Sequence, residues 1–179
     1  ITSEASAKAP DKAELKQLAI ESDSTIVEYY SAGDSIFVFV VEGGQVKTAL
    51  PLSISSRDLN NLVAKTYDSI ISPPQSLTDL QASNERRQRN LQELHKLLIS
   101  PIEGLLPSEP AKVVTVVPHG ALYNVPFAAL IDVKGNLFIE SHTLAVVPAI
   151  GVFRGTHKLA QSLSGKPANM LVFGNPTMR

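Results

Sequence analysis

The feature that most constrains this chain is an almost entirely apolar run, KVVTVV, at residues Lys112–Val117. A strand with one wet face alternates apolar and polar residues, and this run does not alternate. Its β-branched residues favour an extended conformation. The run therefore predicts a central strand that is covered on both faces, with other strands beside it and helices above and below it.

Three further strand-like runs precede it, rich in β-branched and aromatic residues: Thr25–Tyr30, Ser35–Glu42 and Val46–Leu52. The runs are separated by Gly33-Asp34 and Gly43-Gly44, where glycine supplies the positive φ of a tight turn. These glycines are not a phosphate cradle, because no Gly-Lys-Ser/Thr sequence follows and no helix begins there. The pattern predicts an antiparallel meander over residues 25–53.

Two helices are predicted between the meander and the central strand. Ser55 and Ser56 are suitable N-caps for the first helix, which ends before Pro73-Pro74. Residues 72–83 are interpreted as a loop. The second helix is expected from about Asn84 to Leu98, and Pro101 is expected to open a short following helix or to kink this one.

Shorter elements follow the central strand. The predicted strands are Asn136–Glu140, Thr143–Val147 and Met170–Phe173. A helix is predicted over residues 151–164, with Val152, Leu159 and Leu163 on one face. Helices that alternate with apolar strands favour a three-layer α/β sandwich.

Composition excludes several classes of function. The chain has 179 residues, which suits one domain, and a net charge of −1, so a basic surface for nucleic acid is not expected. Arg86, Arg87 and Arg89 are interpreted as a solvated helix face. There is no cysteine, which excludes a disulfide, a thiolate metal site and a cysteine nucleophile. No cofactor, metal, nucleic-acid or membrane partner is predicted, and a cytoplasmic location is expected.

The two ends of the chain suggest a piece of a longer protein. It begins with Ile1 rather than methionine and ends at Arg179, just after a strand-like run. An end produced by cleavage is one interpretation, which makes Arg179 a candidate processing site. A boundary without biological meaning is the alternative.

The phrase VVTVVPHGALYNVPFAAL at residues 113–130 resembles the N-terminal part of a CHAT domain. This family is caspase-like, is related to caspases and separases, and often follows tetratricopeptide repeats. Its pattern is an apolar strand, Pro-His/Asp-Gly, a Leu and Leu/Val-Pro-Phe-Ala-Ala-Leu. This pattern is matched by Pro118-His119-Gly120, Leu122 and Val125–Leu130. Further on, the family has a Pro-Ser/Ala step into a helix and a strand that ends in Gly-Asn-Pro. These features are matched by Pro148-Ala149 and Gly174-Asn175-Pro176. The resemblance extends over about residues 25–176.

The resemblance implies a three-layer α/β/α caspase-like sandwich, present in part, preceded by a small antiparallel meander with two helices. Residues 1–24 are polar and rich in Ala, Ser and Lys, and are interpreted as a linker in which Ala13 to Ile20 could hold a helical turn or two. Residues 25–110 then hold the meander and helices of the CHAT module. Residues 111–179 supply the first strands and helices of the caspase-like core, which is incomplete at its C-terminus.

The resemblance also implies a function. In CHAT peptidases the catalytic histidine and cysteine come later in the chain, so this chain is expected to be a non-catalytic N-terminal part with no catalytic residue of its own. Its expected partners are the C-terminal catalytic fragment of the same protein and a protein substrate or regulatory partner. A pseudo-peptidase or scaffold of the same fold is one alternative, and an unrelated, complete α/β binding domain is another.

Within this chain, His119 is the residue that most invites a catalytic interpretation. It has no cysteine partner, and its place in the CHAT pattern is also filled by aspartate. We therefore predict a structural role, in which its ring nitrogens bond exposed backbone groups at the end of a strand. Gly120 would let the chain turn, and Phe127 would fill the core below.

The other candidates are weaker. Ser141-His142 and Ser162–Ser164 lack the Gly-x-Ser-x-Gly elbow of a serine nucleophile. His142 and His157 stand singly, without metal spacing, and the helical neighbours of His95 provide no site. Glu28, with Asp34, is interpreted as part of a solvated strand face with no reason for a raised pKa.

Overall fold

The structure is a computed structural model, and it describes residues 12–164 apart from 73 and 75. Its helices and strands, in chain order, are α1 (Lys12–Glu21), β1 (Ser24–Ala32), β2 (Ser35–Glu42), β3 (Gln45–Pro51), α2 (Ser56–Ile71), α3 (Leu77–Leu98), β4 (Val113–Val117), α4 (Phe138–Ser141), β5 (Thr143–Val146) and α5 (Ile150–Leu163). Short 3-10 turns lie at Ser100–Leu105, Gly120–Asn124 and Phe127–Ala129. The fold is mixed α/β, as predicted.

The five strands among the described residues form one sheet in the order β3-β2-β1-β4-β5. The first three make the predicted antiparallel meander, with positive φ at Gly33, Gly43 and Gly44 in its turns. β4 pairs in parallel with β1 on one side and with β5 on the other. The apolar run at 113–117 is therefore an inner strand, and the prediction of a strand covered on both faces is confirmed.

The predicted boundary between residues 110 and 111 does not separate two sheets. β1 of the meander is bonded directly to β4, from Ser24 beside Val113 to Glu28 beside Val117. The hydroxyl oxygens of Ser24 and Thr115 lie 2.6 Å apart across this pair, in the buried interior. The meander thus supplies three of the five described strands in the sheet that contains the central strand.

The larger core lies between the sheet and the helices α2 and α3. Val27, Tyr29, Val114 and Val116 point into it from the strands. Leu59 and Val63 of α2, and Leu91, Leu94 and Leu98 of α3, close it from above. Leucines at this spacing form one helix face, which explains why the helical periodicity could be read from the sequence.

The smaller core lies on the opposite face of the sheet, under α1 and α5. Leu18 of α1 packs with Val41, Val117 and Ile150. The expectation that residues 1–24 form a linker is therefore wrong for the described residues 12–21. That segment has a weak amphipathic pattern, and its helix is held by tertiary packing rather than by intrinsic periodicity.

The second long helix begins seven residues earlier than predicted, at Leu77 instead of Asn84. Ser76 is its N-cap, and its hydroxyl oxygen accepts a hydrogen bond from the backbone N–H of Asp79 at 3.1 Å. The prolines before it suggested a long loop, but a serine cap allows a helix to begin directly after them. The 3-10 turn that starts at Ser100 has Pro101 in its first positions, as predicted.

The predicted strand at 136–140 is also wrong. Only Leu137 makes a bridge, to Ile131, and the chain then enters α4. The Asp132 carboxylate accepts hydrogen bonds from the backbone N–H groups of Lys134 and Asn136, both at 2.8 Å, which folds the segment into a tight turn. Glu140 accepts from the Leu137 N–H at 2.7 Å and satisfies the start of the helix.

The helix predicted near residues 151–164 is confirmed as α5, but its apolar face is exposed. Val152, Leu159 and Leu163 are each about half exposed. α5 instead contacts the smaller core through Ile150 and Phe153. The predicted strand Met170–Phe173 and the candidate processing site Arg179 lie outside the described residues.

Candidate functional site

The parallel strands β4 and β5 end on the same side of the sheet as the second half of β1. The pairing of Glu28 with Val117 sets Tyr30 and Ser31 beside the loop that follows β4. In open α/β sheets, ligands bind at such a carboxyl edge, because the loops there are free to carry polar groups. We call this side the carboxyl edge.

His119 lies at the carboxyl edge, two residues beyond β4. Its Nδ1 accepts a hydrogen bond from the backbone N–H of Ser31 at 3.2 Å, and its ring stacks on Tyr30 at 5.2 Å between centroids. The predicted bonding of an exposed backbone group is therefore confirmed. Because Nδ1 accepts in this arrangement, the neutral ring carries its proton on Nε2.

The loop after β4 is held to the loop after β5. Gly120 has φ of +59°, a conformation that strongly favours glycine, and begins the first 3-10 turn of this loop. The hydroxyl of Tyr123 in that turn donates to the carbonyl oxygen of Pro148 at 2.6 Å. Phe127 is buried and stacks on Tyr29 at 5.8 Å, so the prediction that it fills the core is confirmed.

Glu28 differs from the prediction of a solvated strand carboxylate. Its side chain is half-buried, and burial raises its pKa, while the nearby His119 acts in the opposite direction. Asp34 is in the turn between β1 and β2, whereas Glu28 is within the sheet opposite Phe39, so the two do not form an acid pair. The alternation of residues along the strand predicts the side of the sheet on which Glu28 lies. It does not predict how far neighbouring residues bury the side chain.

His95 lies in a cluster that its helical neighbours did not reveal. It is 4% exposed, its Nδ1 lies 3.4 Å from the Ser100 hydroxyl, and its ring meets the edge of Phe138. Burial lowers its pKa, opposed by the charges of Glu103 and Asp132. The contact could not be found from the sequence, because the sequence predicts Phe138 to lie in a strand, whereas it lies in α4.

His142 lies against the other side of this cluster. Its ring centroid is 4.8 Å from that of Phe138, and its Nδ1 is 2.9 Å from the hydroxyl of Ser141. Ser141 also donates to the Phe138 carbonyl oxygen, at 3.3 Å. A cavity of only about 30 Å³ lies beside the two histidines, room for about one water molecule. The cavity beside Ser141 and His142 is therefore too small for a peptide substrate.

The remaining histidine and serine candidates lie on α5. His157 shares a contact of 2.9 Å with Gln161, and the Ser162 hydroxyl donates to the carbonyl oxygen of Leu159. These are local contacts between residues of one helix. Among the residues that the structure describes, no group of three or more His, Asp or Glu side chains is arranged to hold a metal ion.

The arginine cluster on α3 is mostly a solvated face, with one exception. Arg89 and Glu85 are exposed and lie 3.7 Å apart. Arg87 instead donates two hydrogen bonds to the carbonyl oxygen of Ser69, at 3.2 and 3.1 Å, and so supports the last turns of α2. No described helix is long and apolar enough to cross a membrane.

Comparison with known proteins identifies the family of this chain. No curated protein matches the chain. A chain of a solved "PilM-PilN type IV pilus biogenesis complex" is 16% identical over 73% of this chain, with a TM-score of 0.35, and the match spans 38% of that chain. A model of the CHAT domain matches residues 88–179, just over half of the sequence, from within α3 through the His119 loop to the end. The chain therefore belongs to the CHAT domain family.

Proposed function

We propose that this chain is the N-terminal, non-catalytic part of a CHAT-family caspase-like cysteine peptidase. The observation that carries the proposal is a CHAT match in a sequence without cysteine. A peptidase of this class needs a thiolate nucleophile and an imidazole that handles its proton. Both groups would be supplied by the C-terminal catalytic fragment of the same protein.

The edge of the sheet at β5 supports the proposal that a second fragment supplies the catalytic groups. β5 pairs with β4 on one side and has no strand partner on the other among the described residues. An unpaired edge offers backbone N–H and C=O groups for a further strand. We therefore propose that the catalytic fragment extends the sheet from β5 in a three-layer caspase-like sandwich and brings its thiol and imidazole to the carboxyl edge.

In the proposed reaction, the thiolate attacks the peptide carbonyl and forms an acyl-enzyme, while the imidazole protonates the leaving amine. Water then hydrolyses the thioester. This chain contributes the buried scaffold under the carboxyl edge and the fixed loop around Pro118-His119-Gly120. His119 is bonded to the backbone of Ser31, an arrangement that suits a support for this loop.

The test is reconstitution. The chain is co-expressed with the C-terminal fragment of the same protein, and hydrolysis of a fluorogenic peptide library is measured together with thiol labelling by a peptidyl electrophile. We expect turnover only when both parts are present, and its loss when the fragment's cysteine is replaced by serine. Tight association with neither hydrolysis nor labelling would favour the alternative, a pseudo-peptidase or scaffold that binds a protein partner.

We further propose that Arg179 is a self-processing site and that the protein acts in the cytoplasm. Mass spectrometry of the protein from its natural host gives the C-terminal residue directly. We expect a polypeptide that ends at Arg179, and a longer, uncleaved polypeptide for Arg179→Ala. A parent polypeptide that continues past Arg179, or a variant that still ends at position 179, would exclude processing after this residue.

A further inference from the structure

Near the carboxyl edge, the described residues leave one face of the sheet partly uncovered. The side chains of Glu28, Tyr30, Phe37 and Phe39 share this face, because Glu28 pairs directly with Phe39 and Tyr30 with Phe37. The ring of His119 joins them by stacking on Tyr30. We call these five residues the open face.

The described helices cover only the other end of this side of the sheet. Ile26, Val41 and Val117 are buried there under α1 and α5. Tyr30 is 52% exposed, and Phe37 and Phe39 are half-buried and belong to neither core. One exposed tyrosine and two half-buried phenylalanines thus lie together outside both cores.

Glu28 places a carboxylate among these rings. Within the described part of the chain it has neither an ion pair within 4 Å nor a side-chain hydrogen bond, although it is half-buried. Burial raises its pKa. His119 is the neighbour that opposes this effect. Its Nδ1 accepts a hydrogen bond from the Ser31 N–H, so that nitrogen has no proton to donate to Glu28.

We propose that the open face binds an arginine or lysine side chain presented by a partner polypeptide. The cation pairs with the Glu28 carboxylate and lies against the ring of Tyr30, where the π-electrons attract it. The aliphatic part of the same side chain packs on Phe37 and Phe39. The site thus combines the two features that such a side chain requires, an apolar floor and one negative charge.

Other partner chemistry fits the open face less well. A purely apolar partner would cover Glu28 and leave a buried carboxylate without a counter-charge, which costs free energy. A nucleic-acid backbone or another anion would be repelled by the same carboxylate. The open face is distinct from the β5 edge, and binding to it can be measured without peptidase activity.

The test uses the full chain and fluorescent acetylated pentapeptides that carry a central arginine, lysine, citrulline or norleucine between alanines. Citrulline keeps the shape of arginine and removes its charge. By fluorescence anisotropy we expect arginine and lysine to bind about five- to tenfold more tightly than citrulline and norleucine, as for a partly desolvated cation–π and ion-pair contact. Glu28→Gln should abolish this preference, and Tyr30→Ala should weaken binding of all four peptides.

Glu42→Gln is the matched control. Glu42 is also a half-buried strand carboxylate, but its oxygen already lies 3.6 Å from the Lys47 ammonium, so its loss should leave the preference unchanged. Equal binding of the arginine and citrulline peptides to the unsubstituted chain would overturn the proposal. So would a preference that survives Glu28→Gln. A further experiment compares the Glu28 NMR signals of the peptide-free chain with those of its Arg179→Ala variant. A shift of these signals would mean that Arg179 of the same chain occupies the open face. That result would overturn the proposal of a partner polypeptide.

Discussion

Phe127 stacks on Tyr29 at 5.8 Å between ring centroids, and Tyr29 donates its hydroxyl hydrogen to the Leu98 carbonyl oxygen at 2.8 Å. These two contacts join three distant parts of the chain. Phe127 belongs to the motif after β4, Tyr29 to the middle strand, and Leu98 to the end of α3. The family motif is therefore anchored to the meander and to a helix through one buried tyrosine.

Replacing Phe127 with alanine should strongly destabilise the protein. The ring is 2% exposed, and its removal leaves a cavity beside Tyr29 in the larger core. We expect a loss of about 3–5 kcal/mol in the free energy of unfolding, measured by urea denaturation followed by circular dichroism. Tyr67→Ala removes a ring that is 45% exposed and should cost only about 0.5 kcal/mol. Similar losses for the two variants would contradict the anchoring role of Phe127.

Tyr29→Phe tests the polar half of the same anchor. The substitution keeps the ring and removes the donor to Leu98, leaving a buried helix-end carbonyl without this partner. We expect the free energy of unfolding to fall by about 1–3 kcal/mol, because a buried acceptor without a partner costs its desolvation. Tyr67→Phe serves as the exposed control and should be neutral. A neutral Tyr29→Phe would mean that water or another donor replaces the hydroxyl.

Glu28 should make stability depend on pH. Its folded-state pKa is raised above the ordinary value of 4.5 by burial, so between the two values the folded protein binds more protons than the unfolded one. Stability should therefore fall as the pH rises from 4.5 through the folded pKa. Glu28→Gln should remove this loss, so the variant gains relative to the parent across the same window. Denaturation curves at a series of pH values measure the difference, and a constant difference would contradict the burial of the carboxylate.

His95 should also make stability depend on pH, at a higher pH than Glu28 and in the opposite direction. Burial lowers its folded-state pKa below the ordinary value of 6.5, so just below that pH the unfolded chain binds the extra proton. Stability should then fall as the pH is lowered from 6.5 through the folded pKa. His95→Gln should reduce this dependence, whereas His157→Gln, on α5, should not. Titration of the His95 ring by NMR gives an independent check, and a midpoint at or above 6.5 would contradict the prediction.

Under the proposed peptidase function, His119→Asn should leave turnover nearly unchanged in the reconstituted protein. The side chain supports the loop through Ser31 and Tyr30, and asparagine can still accept from a backbone N–H. We expect kcat within a few-fold of the parent, measured with the most active fluorogenic peptide. A loss on the order of 10³-fold with the fold intact would make His119 a general base instead.

The sequence by itself determined the elements whose pattern is strong and local. The meander, the inner strand at 113–117 and the helix around Leu91, Leu94 and Leu98 all follow from periodicity and turn chemistry. The phrase around His119 also determined the family, because a motif of fixed spacing can be recognised without a structure.

Only the tertiary structure decided how distant segments meet. It turned part of the expected linker into α1, placed Phe138 against His95, and left Glu28 half-buried beside His119. The physical reason is the same in each case. The burial and the pKa of a side chain depend on residues that are far away in the sequence, and so does the stability of a weakly patterned helix. Local sequence does not show which of these residues lie close in space.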